Sequence, residues 1–380
     1  MGWFVGADSY NARLPNLIDS PAALEEATAL LAQHDVIACD TESDSFFAYR
    51  PRVCLIQFSV AGEDLLLDPL ADFDLAPLGA VLGDPKRTVI FHAAENDVIQ
   101  LNHELGWRIG HLFDTQIASF VLGEPPYSLA GVLESRFGVK LDKSQQRSDW
   151  SRRPLSNEQL TYASEDTAYL IELYELLRGS AEAAGRMEEI DAECTRIANR
   201  EWEPTPFDPE GYWRMKASRT LDPWGLRILR GMYLLRHEEA DKRNRAPYRI
   251  ANDSVLVTIA TERATRPGRG IPERFWGRYG KRIAGIVRST ENEPALKKPR
   301  STATRAAPDT PETKERYEKL RAWRRGAAEK RGVESWVVAR NDLLLRIARA
   351  APESAPDLTA LLEPFRDREY GEAMLAALLA

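Results

Sequence analysis

The sequence predicts an α/β domain followed by an all-α half. Three observations carry that prediction: strand-like apolar runs alternate with helical patterns over residues 1–180, strand signals nearly vanish after Gly179, and net charge changes sign between the halves. Residues 1–180 carry 13 Lys and Arg against 27 Asp and Glu, a net of −14, while the remainder carries 38 against 31, or +7. An acidic half suits the gathering of metal ions, and a basic half suits a polyanion such as nucleic acid. At 380 residues the chain exceeds one ordinary domain, and no uninterrupted apolar run approaches the ~18 residues of a membrane helix. The N-terminus, MGWFVGADSY, has no basic segment followed by an apolar stretch, so the expectation is a cytoplasmic protein that spans no membrane. Cys39, Cys54 and Cys194 are far apart, odd in number and outside any CxxC spacing, which argues against a disulfide framework or a zinc site.

The elements follow in order. Ser20, then Pro21 with Glu25 and Glu26 after it, opens a helix through about Leu31. Apolar runs at Val36–Cys39, Val53–Val60, Leu65–Leu67 and Thr88–Phe91 read as strands. Helical patterns cover Glu95–Leu105, Asp114–Leu122, Leu129–Phe137 and Ser156–Leu177, the last opened by the capping-box spacing of Ser156 and Gln159. Beyond them lie helical patches at Leu226–Arg245 and Ser254–Arg263. A connector rich in Pro, Thr, Ala and charge runs from Thr290 to Thr313, and a final helical segment covers Lys314–Ala380. No tandem repeat of short period is visible.

Candidate chemistry gathers on carboxylates. The strand Val36–Cys39 runs into Asp40-Thr41-Glu42. Alternation along a strand puts Asp40 and Glu42 on one side and turns Thr41 away. Two adjacent anions repel unless they share a cation, and hard oxygen donors suit Mg²⁺ or Mn²⁺. Taken alone, the motif is weak, since Asp-Thr-Glu at a strand end more often marks a solvated turn or a helix cap. Asp97 lies where the strand Thr88–Phe91 turns into a helix, a place where it could simply complement the helix dipole. His92 reads as a hydrogen-bonded structural histidine. Tyr162 and Asp166 are four residues apart on the helix from Ser156 and share a face at the border of the buried stripe of Leu160, Ala163, Thr167, Leu170, Tyr174 and Leu177.

Together, Asp40, Glu42, Asp97 and the Tyr162/Asp166 pair resemble the DEDD exonucleases that carry a tyrosine in the third motif. The intervening strings Cys54-Leu-Ile-Gln-Phe-Ser59, His92-Ala-Ala-Glu-Asn-Asp97, Phe113-Asp-Thr-Gln116, Leu141-Asp-Lys-Ser144, Asp149-Trp150 and Arg153-Pro-Leu155 are similar to ribonuclease D and its relative in the eukaryotic nuclear exosome. The likeness covers roughly residues 18–178. One departure is Ser43, where bacterial ribonuclease D commonly has a bulky residue. The resemblance implies a ribonuclease-H-like exonuclease domain with a mixed sheet. It also implies 3′–5′ hydrolysis of RNA by two divalent metal ions, Mg²⁺ or Mn²⁺. By family analogy Asp40, Glu42 and Asp166 hold the ion that activates water, Asp40 bridges to the second, Asp97 supports that second ion through water, and Tyr162 orients the attacking water.

The string from Ile228 to Arg245, followed by Ala-Pro-Tyr-Arg-Ile-Ala-Asn-Asp-Ser-Val-Leu, resembles the HRDC domain, a helical module that accompanies ribonuclease D. Val338-Ala-Arg-Asn-Asp-Leu-Leu and Phe365-Arg-Asp-Arg-Glu-Tyr-Gly resemble a more divergent second copy. The expected organisation is an exonuclease domain over 1–180, a helical connector over 181–214, an HRDC domain over 215–289, a linker over 290–313 and a second HRDC-like domain over 314–380. Lys242, Arg243, Arg245 and Arg249 are the candidate nucleic-acid contacts, since a basic helix surface can grip phosphates without reading sequence. The expected partner is RNA with a free single-stranded 3′ end, precursors of transfer RNA among them. Two other readings stay open on the residues alone: a DNA exonuclease with the same metal constellation, and a catalytically silent nucleic-acid-binding scaffold.

Overall fold

The computed structural model describes residues 16–298 and 310–380. The N-terminal stretch read above and residues 299–309 of the expected connector lie outside the described residues. The chain divides into two compact units, one of Met1–Glu42, Val53–Trp202 and Thr304–Ala380, the other of Ser43–Arg52 and Glu203–Ala303.

In the first unit the chain runs β1 (Asn16–Ile18), α1 (Pro21–Leu31), β2 (Val36–Ser43), β3 (Val53–Val60), β4 (Glu63–Leu67), α2 (Ala76–Leu82), β5 (Thr88–Phe91), α3 (Glu95–Leu105), β6 (His111–Asp114), α4 (Thr115–Leu122), α5 (Leu129–Phe137), α6 (Asn157–Ala168), α7 (Leu170–Ala184) and α8 (Met187–Ala198). The strands form one sheet of order β1-β4-β3-β2-β5-β6. It is mixed, as expected: β3 and β4 are antiparallel, whereas β1/β4, β2/β5 and β5/β6 are parallel. Every residue of the central β3 is buried, the signature of a strand covered on both faces. The parallel register of β2 with β5 stops at Ala38↔Ile90, which leaves Asp40 and Glu42 beyond the part of β2 that pairs with β5. In open α/β sheets, the region past the carboxyl ends of parallel strands is where ligands bind.

Local signals explain most of these elements. Ser20 caps α1 and Pro21 starts it; Ser156 and Gln159 form the reciprocal capping box of α6. The helix expected to be continuous from Ser156 to Leu177 is instead broken at Tyr169, whose backbone leaves helical geometry (φ −108°, ψ 2°). No Pro or Gly marks that break. The edge strands β1 and β6 were not read from the sequence. Asp114, read as a helix start, ends β6 and caps α4. The expected connector 181–214 also divides: α8 buries Ile190, Cys194 and Ile197 in the main core of the first unit, and the chain passes to the second unit after Trp202.

The second unit is all-α, as expected, with α9 (Pro223–Lys242), α10 (Pro247–Ile250), α11 (Asp253–Glu262) and α12 (Glu273–Ser289) around Ile228, Leu229, Met232, Leu256, Ile259 and Ile283. The C-terminal helices, α13 (Pro311–Arg331), α14 (Ser335–Val338), α15 (Asn341–Ala350), α16 (Ala355–Thr359) and α17 (Pro364–Leu379), belong to the first unit. A recurrence joins the two helical modules. Pro223 and Pro311 begin their long helices, Ala251 and Ala339 are extended, and Arg263 and Ala351 are left-handed caps (φ 51° and 49°). In the first, Arg236 Nη1 donates to the Ala251 carbonyl at 3.2 Å and to Asp253 at 2.6 Å. In the second, Arg324 Nη1 donates to the Ala339 carbonyl at 2.8 Å and to Asn341 at 2.9 Å. Positions 236 and 324, 251 and 339, and 253 and 341 are each 88 apart, so the same arginine clamp fastens the same turn in both modules.

Candidate active site

Asp40 and Glu42 stand at the end of β2, Asp97 in the first turn of α3, and Tyr162 and Asp166 on α6. All four carboxylates are half-buried, shielded from bulk water yet able to accept a ligand. Their electrostatics show that they act on one another. Asp40 is raised well above the usual carboxylate range, first by burial and then by the charges of Asp97, Asp166 and Glu42. Glu42 is pushed up to about 9 by burial and by Asp166 and Asp97. Burial lifts Asp166 to about 7 and Asp97 to about 6. None of the four takes part in an ion pair among the described residues. A cluster of carboxyls this short of positive charge holds protons at neutral pH or takes up cations.

The donor chemistry fits hard divalent cations, which prefer carboxylate oxygens. Among the described residues, no three acidic, histidine or cysteine side chains are already drawn together as a metal cage.

Several side chains hold this site in place, and the sequence reading gave them no role. Thr41 donates to Asp97, which corrects the expectation that it simply points away: its hydroxyl ties the β2 carboxylate segment to α3 and holds the Asp97 pKa down. Buried Asp114 accepts from the backbone N–H groups of Ala93 (3.0 Å) and Ala94 (2.8 Å), and from Gln116 (2.8 Å) and Ile117 (3.2 Å). It thereby fixes the turn that leads into α3, where Ala93 takes a left-handed φ of 65°. His92 is engaged at both ring nitrogens, with the Thr115 hydroxyl and the Tyr127 carbonyl, as the structural reading anticipated.

Tyr162 donates to Asp166, and burial beside the carboxylates pushes its phenol still further above the ordinary range. Trp150, almost fully buried, packs on it with ring centroids 5.9 Å apart. Arg153 anchors that tryptophan segment. Its guanidinium pairs with Asp68 and donates to the carbonyls of Cys54 (2.7 Å) and Trp150 (2.8 Å). The Asp149-Trp150 and Arg153-Pro-Leu strings were visible in the sequence, but not what they support.

In the second unit, Arg243, Arg245 and Arg249 line a single hollow, whereas Lys242 does not. The hollow also takes Arg274 and Arg278 from α12, a helix the sequence reading did not delimit. No described helix is long and apolar enough to cross a membrane.

Comparison with known proteins agrees with this geometry. The 3′–5′ exonuclease family profile matches residues 15–181, and the HRDC profile matches residues 313–378, the copy judged more divergent from sequence. A ribonuclease D of Nitrobacter hamburgensis is 30% identical over 376 residues, covering 95% of this chain and 94% of its own. The catalytic core of RRP6 from Trypanosoma brucei superposes with a TM-score of 0.69 at 26% identity, covering 74% of this chain and 81% of that one. Escherichia coli RNase D, described as an exoribonuclease involved in structured RNA processing, shares the fold with a TM-score of 0.62 at 24% identity over 96% of this chain and 98% of that one.

Proposed function

Because the chain belongs to the ribonuclease D family and is a hydrolytic 3′–5′ exoribonuclease, we propose that Asp40, Glu42, Asp97 and Asp166 hold two divalent cations, Mg²⁺ or Mn²⁺, and that Tyr162 orients the attacking water. The observation that carries this reading is the set of four mutually repelling carboxylates with no ion pair on any of them among the described residues. Cations bound there would supply Lewis acidity to the water and offset the charge that develops on the leaving oxygen.

The residues' own work is to bind and position. Asp40 feels all three of the other carboxylates, which suits it as the ligand shared by both ions. Thr41 steers Asp97, and Asp114 holds the turn from which α3 starts. Tyr162 is too weak an acid to serve as a base at neutral pH. Its hydroxyl proton is committed to Asp166, and its oxygen lone pairs are left to align a water.

The substrate in this reading is RNA with a free single-stranded 3′ end, with trimming of transfer RNA precursors in the cytoplasm as the expected setting. The organisation is an exonuclease domain (1–180), a connector (181–214), a first HRDC domain (215–289), a linker (290–313) and a second HRDC-like domain (314–380). Support for calling the first helical module HRDC-like comes from its arginine clamp, which recurs 88 positions on in the module that the HRDC profile matches. Lys242, Arg243, Arg245 and Arg249 are its proposed phosphate contacts. The test is chelated protein given Mg²⁺ or Mn²⁺ with matched RNA and DNA strands. Metal-restored shortening of RNA in preference to DNA supports the reading, and equal degradation of both strands would overturn the substrate assignment.

A further inference from the structure

β2 ends at Ser43, directly after Glu42, and β3 begins at Val53, so residues 44–52 form the loop that leaves the carboxylate segment. That loop belongs to the second unit, although the strands it joins belong to the first. Its own residues close its neck. The buried Asp44 carboxylate accepts from the Arg52 N–H at 2.8 Å, and the Asp44 N–H donates to the Arg52 carbonyl at 3.3 Å. With the neck closed, a displacement of the loop is passed to the chain beside Glu42. The rest of the loop is fastened by α9 and the turn that follows it. The Arg50 N–H donates to Asn244 Oδ1 at 2.8 Å, and the Ala246 N–H donates to the Phe47 carbonyl at 2.8 Å. The Tyr49 hydroxyl is hydrogen-bonded to Nδ1 of His237 at 2.9 Å, and that imidazole is itself stacked on Phe207 with ring centroids 3.2 Å apart.

Asn244 is not the residue that the backbone alone would select. It is left-handed, with φ 46°, a conformation in which glycine is the usual occupant after a helix. The C-terminal module makes the comparison direct. At the end of α9 the Arg245 N–H returns to the Ala240 carbonyl at 2.9 Å, and at the end of α13 the Val333 N–H returns to the Ala328 carbonyl at 3.1 Å. Corresponding positions are again 88 apart, and the left-handed residue between them is Asn244 in one module and Gly332 (φ 72°) in the other. The same helix ending is therefore built without a side chain where no such loop is fastened to it. In the second unit a side chain stands there, and its oxygen accepts from the loop backbone.

We propose that Asn244 and Tyr49 are positioning residues for the carboxylate site: by fastening the 44–52 loop to α9 they hold Glu42 where it can share a cation with its neighbours. The inference rests on the two-cation reading of that site and gives the second unit a part in the chemistry in addition to any grip on the strand. Carboxylates that ligate metals depend on the contacts that orient them, and loops act precisely when a rigid element holds them.

The experiment uses the full chain with Asn244→Gly combined with Tyr49→Phe. Glycine keeps the left-handed turn and phenylalanine keeps the ring, so the fold is retained while both fastening bonds are lost; circular dichroism and thermal melting check this. Mn²⁺ binding is read from the electron paramagnetic resonance signal of free Mn²⁺, which needs no turnover, and should weaken roughly tenfold. Turnover is read with the p-nitrophenyl ester of uridine 5′-monophosphate, a single nucleotide too small to use a distant RNA grip. Its kcat should fall roughly tenfold with KM little changed. Asn244→Asp keeps an acceptor and tolerates the left-handed turn, so it should behave as wild type. In a Glu42→Gln background the paired changes should add little further loss of Mn²⁺ affinity, because the group they position is gone. Unchanged Mn²⁺ affinity, or full additivity with Glu42→Gln, would overturn the proposal. So would an unchanged kcat on the ester with only the KM for RNA raised, which would make the loop part of the strand grip. If the wild-type chain cleaves neither the ester nor RNA while the loss of Mn²⁺ affinity is retained, the exonuclease reading fails and the positioning of Glu42 stands.

Discussion

The helical module of the second unit and the C-terminal module share an arginine clamp, an extended alanine and a left-handed cap, yet their outer arginines meet different fates. In the C-terminal module, Arg331 and Arg340 are joined to Glu189 and Glu193 of α8, and Arg186 and Arg368 extend the network to Glu369 and Glu188. In the second unit, the side chains of Arg245, Arg274 and Arg278 are exposed and have no hydrogen-bond or ion-pair partner among the described residues. The difference teaches that a positive helical surface does not by itself mean nucleic-acid binding. What makes a brace of the C-terminal arginines is that the protein supplies their counter-ions.

The largest expected effect breaks that comparison on the side of stability. Glu189 is almost fully buried, so Glu189→Ala strands the Arg331 charge and should cost about 3–5 kcal/mol in urea unfolding of the full chain. Arg274→Ala, at an exposed unpaired position, should fall within about 0.5 kcal/mol of wild type. If the two substitutions had equal effects, the distinction between braced and unpaired arginines would collapse.

A middle-sized effect sharpens the likeness. Arg236→Ala and Arg324→Ala each remove a charged donor from the same turn and should each cost about 2 kcal/mol. A large loss from one and none from the other would show that the shared backbone does not depend on the shared clamp.

The smallest effect has the opposite sign and compares two acidic groups within the first unit. Glu189 has arginine partners, whereas the β2 carboxylates have none among the described residues. A carboxyl whose folded pKa exceeds its unfolded value favours folding at low pH and loses that contribution as pH rises through the folded value. Glu42, at about 9 against an ordinary 4.5, therefore makes the metal-free protein less stable as pH climbs between those values. Asp40→Asn should relieve the repulsion and raise stability without metal by about 1 kcal/mol at pH 8. Excess Mg²⁺ should then stabilise the wild type more than the variant. Thermal melts at pH 6 and 8, with and without Mg²⁺, check both statements; an Asp40→Asn protein that melts lower than wild type without metal would contradict them.

Legibility in the sequence followed the same division. Strands such as Val53–Val60 and the capping box at Ser156 could be read because each has a local pattern, whereas Asp40, Glu42, Asp97 and Asp166 stood out only in combination, through the family resemblance. The coupling of Thr41 to Asp97 could not, because its partners lie 56 residues apart in the chain, and no Pro or Gly marks the Tyr169 break. The hollow was half legible. Arg243, Arg245 and Arg249 lie in one basic run, but Arg274 and Arg278 join them only through the packing of α12. The second helical copy was read from the sequence, but the common 88-residue register became visible only once the two arginine clamps were seen to fasten the same turn.

The central claim is that the carboxylate cluster at the end of β2 hydrolyses RNA from its 3′ end. Its most direct measurement is digestion of a 5′-labelled single-stranded RNA by the full chain and by Asp40→Asn, each with Mg²⁺ or Mn²⁺ and with a chelator control. The account predicts a ladder that shortens one nucleotide at a time from the 3′ end and disappears on chelation and in Asp40→Asn. Hydrolysis that survives Asp40→Asn, or an intact strand bound tightly by the wild-type protein with metal present, would contradict it.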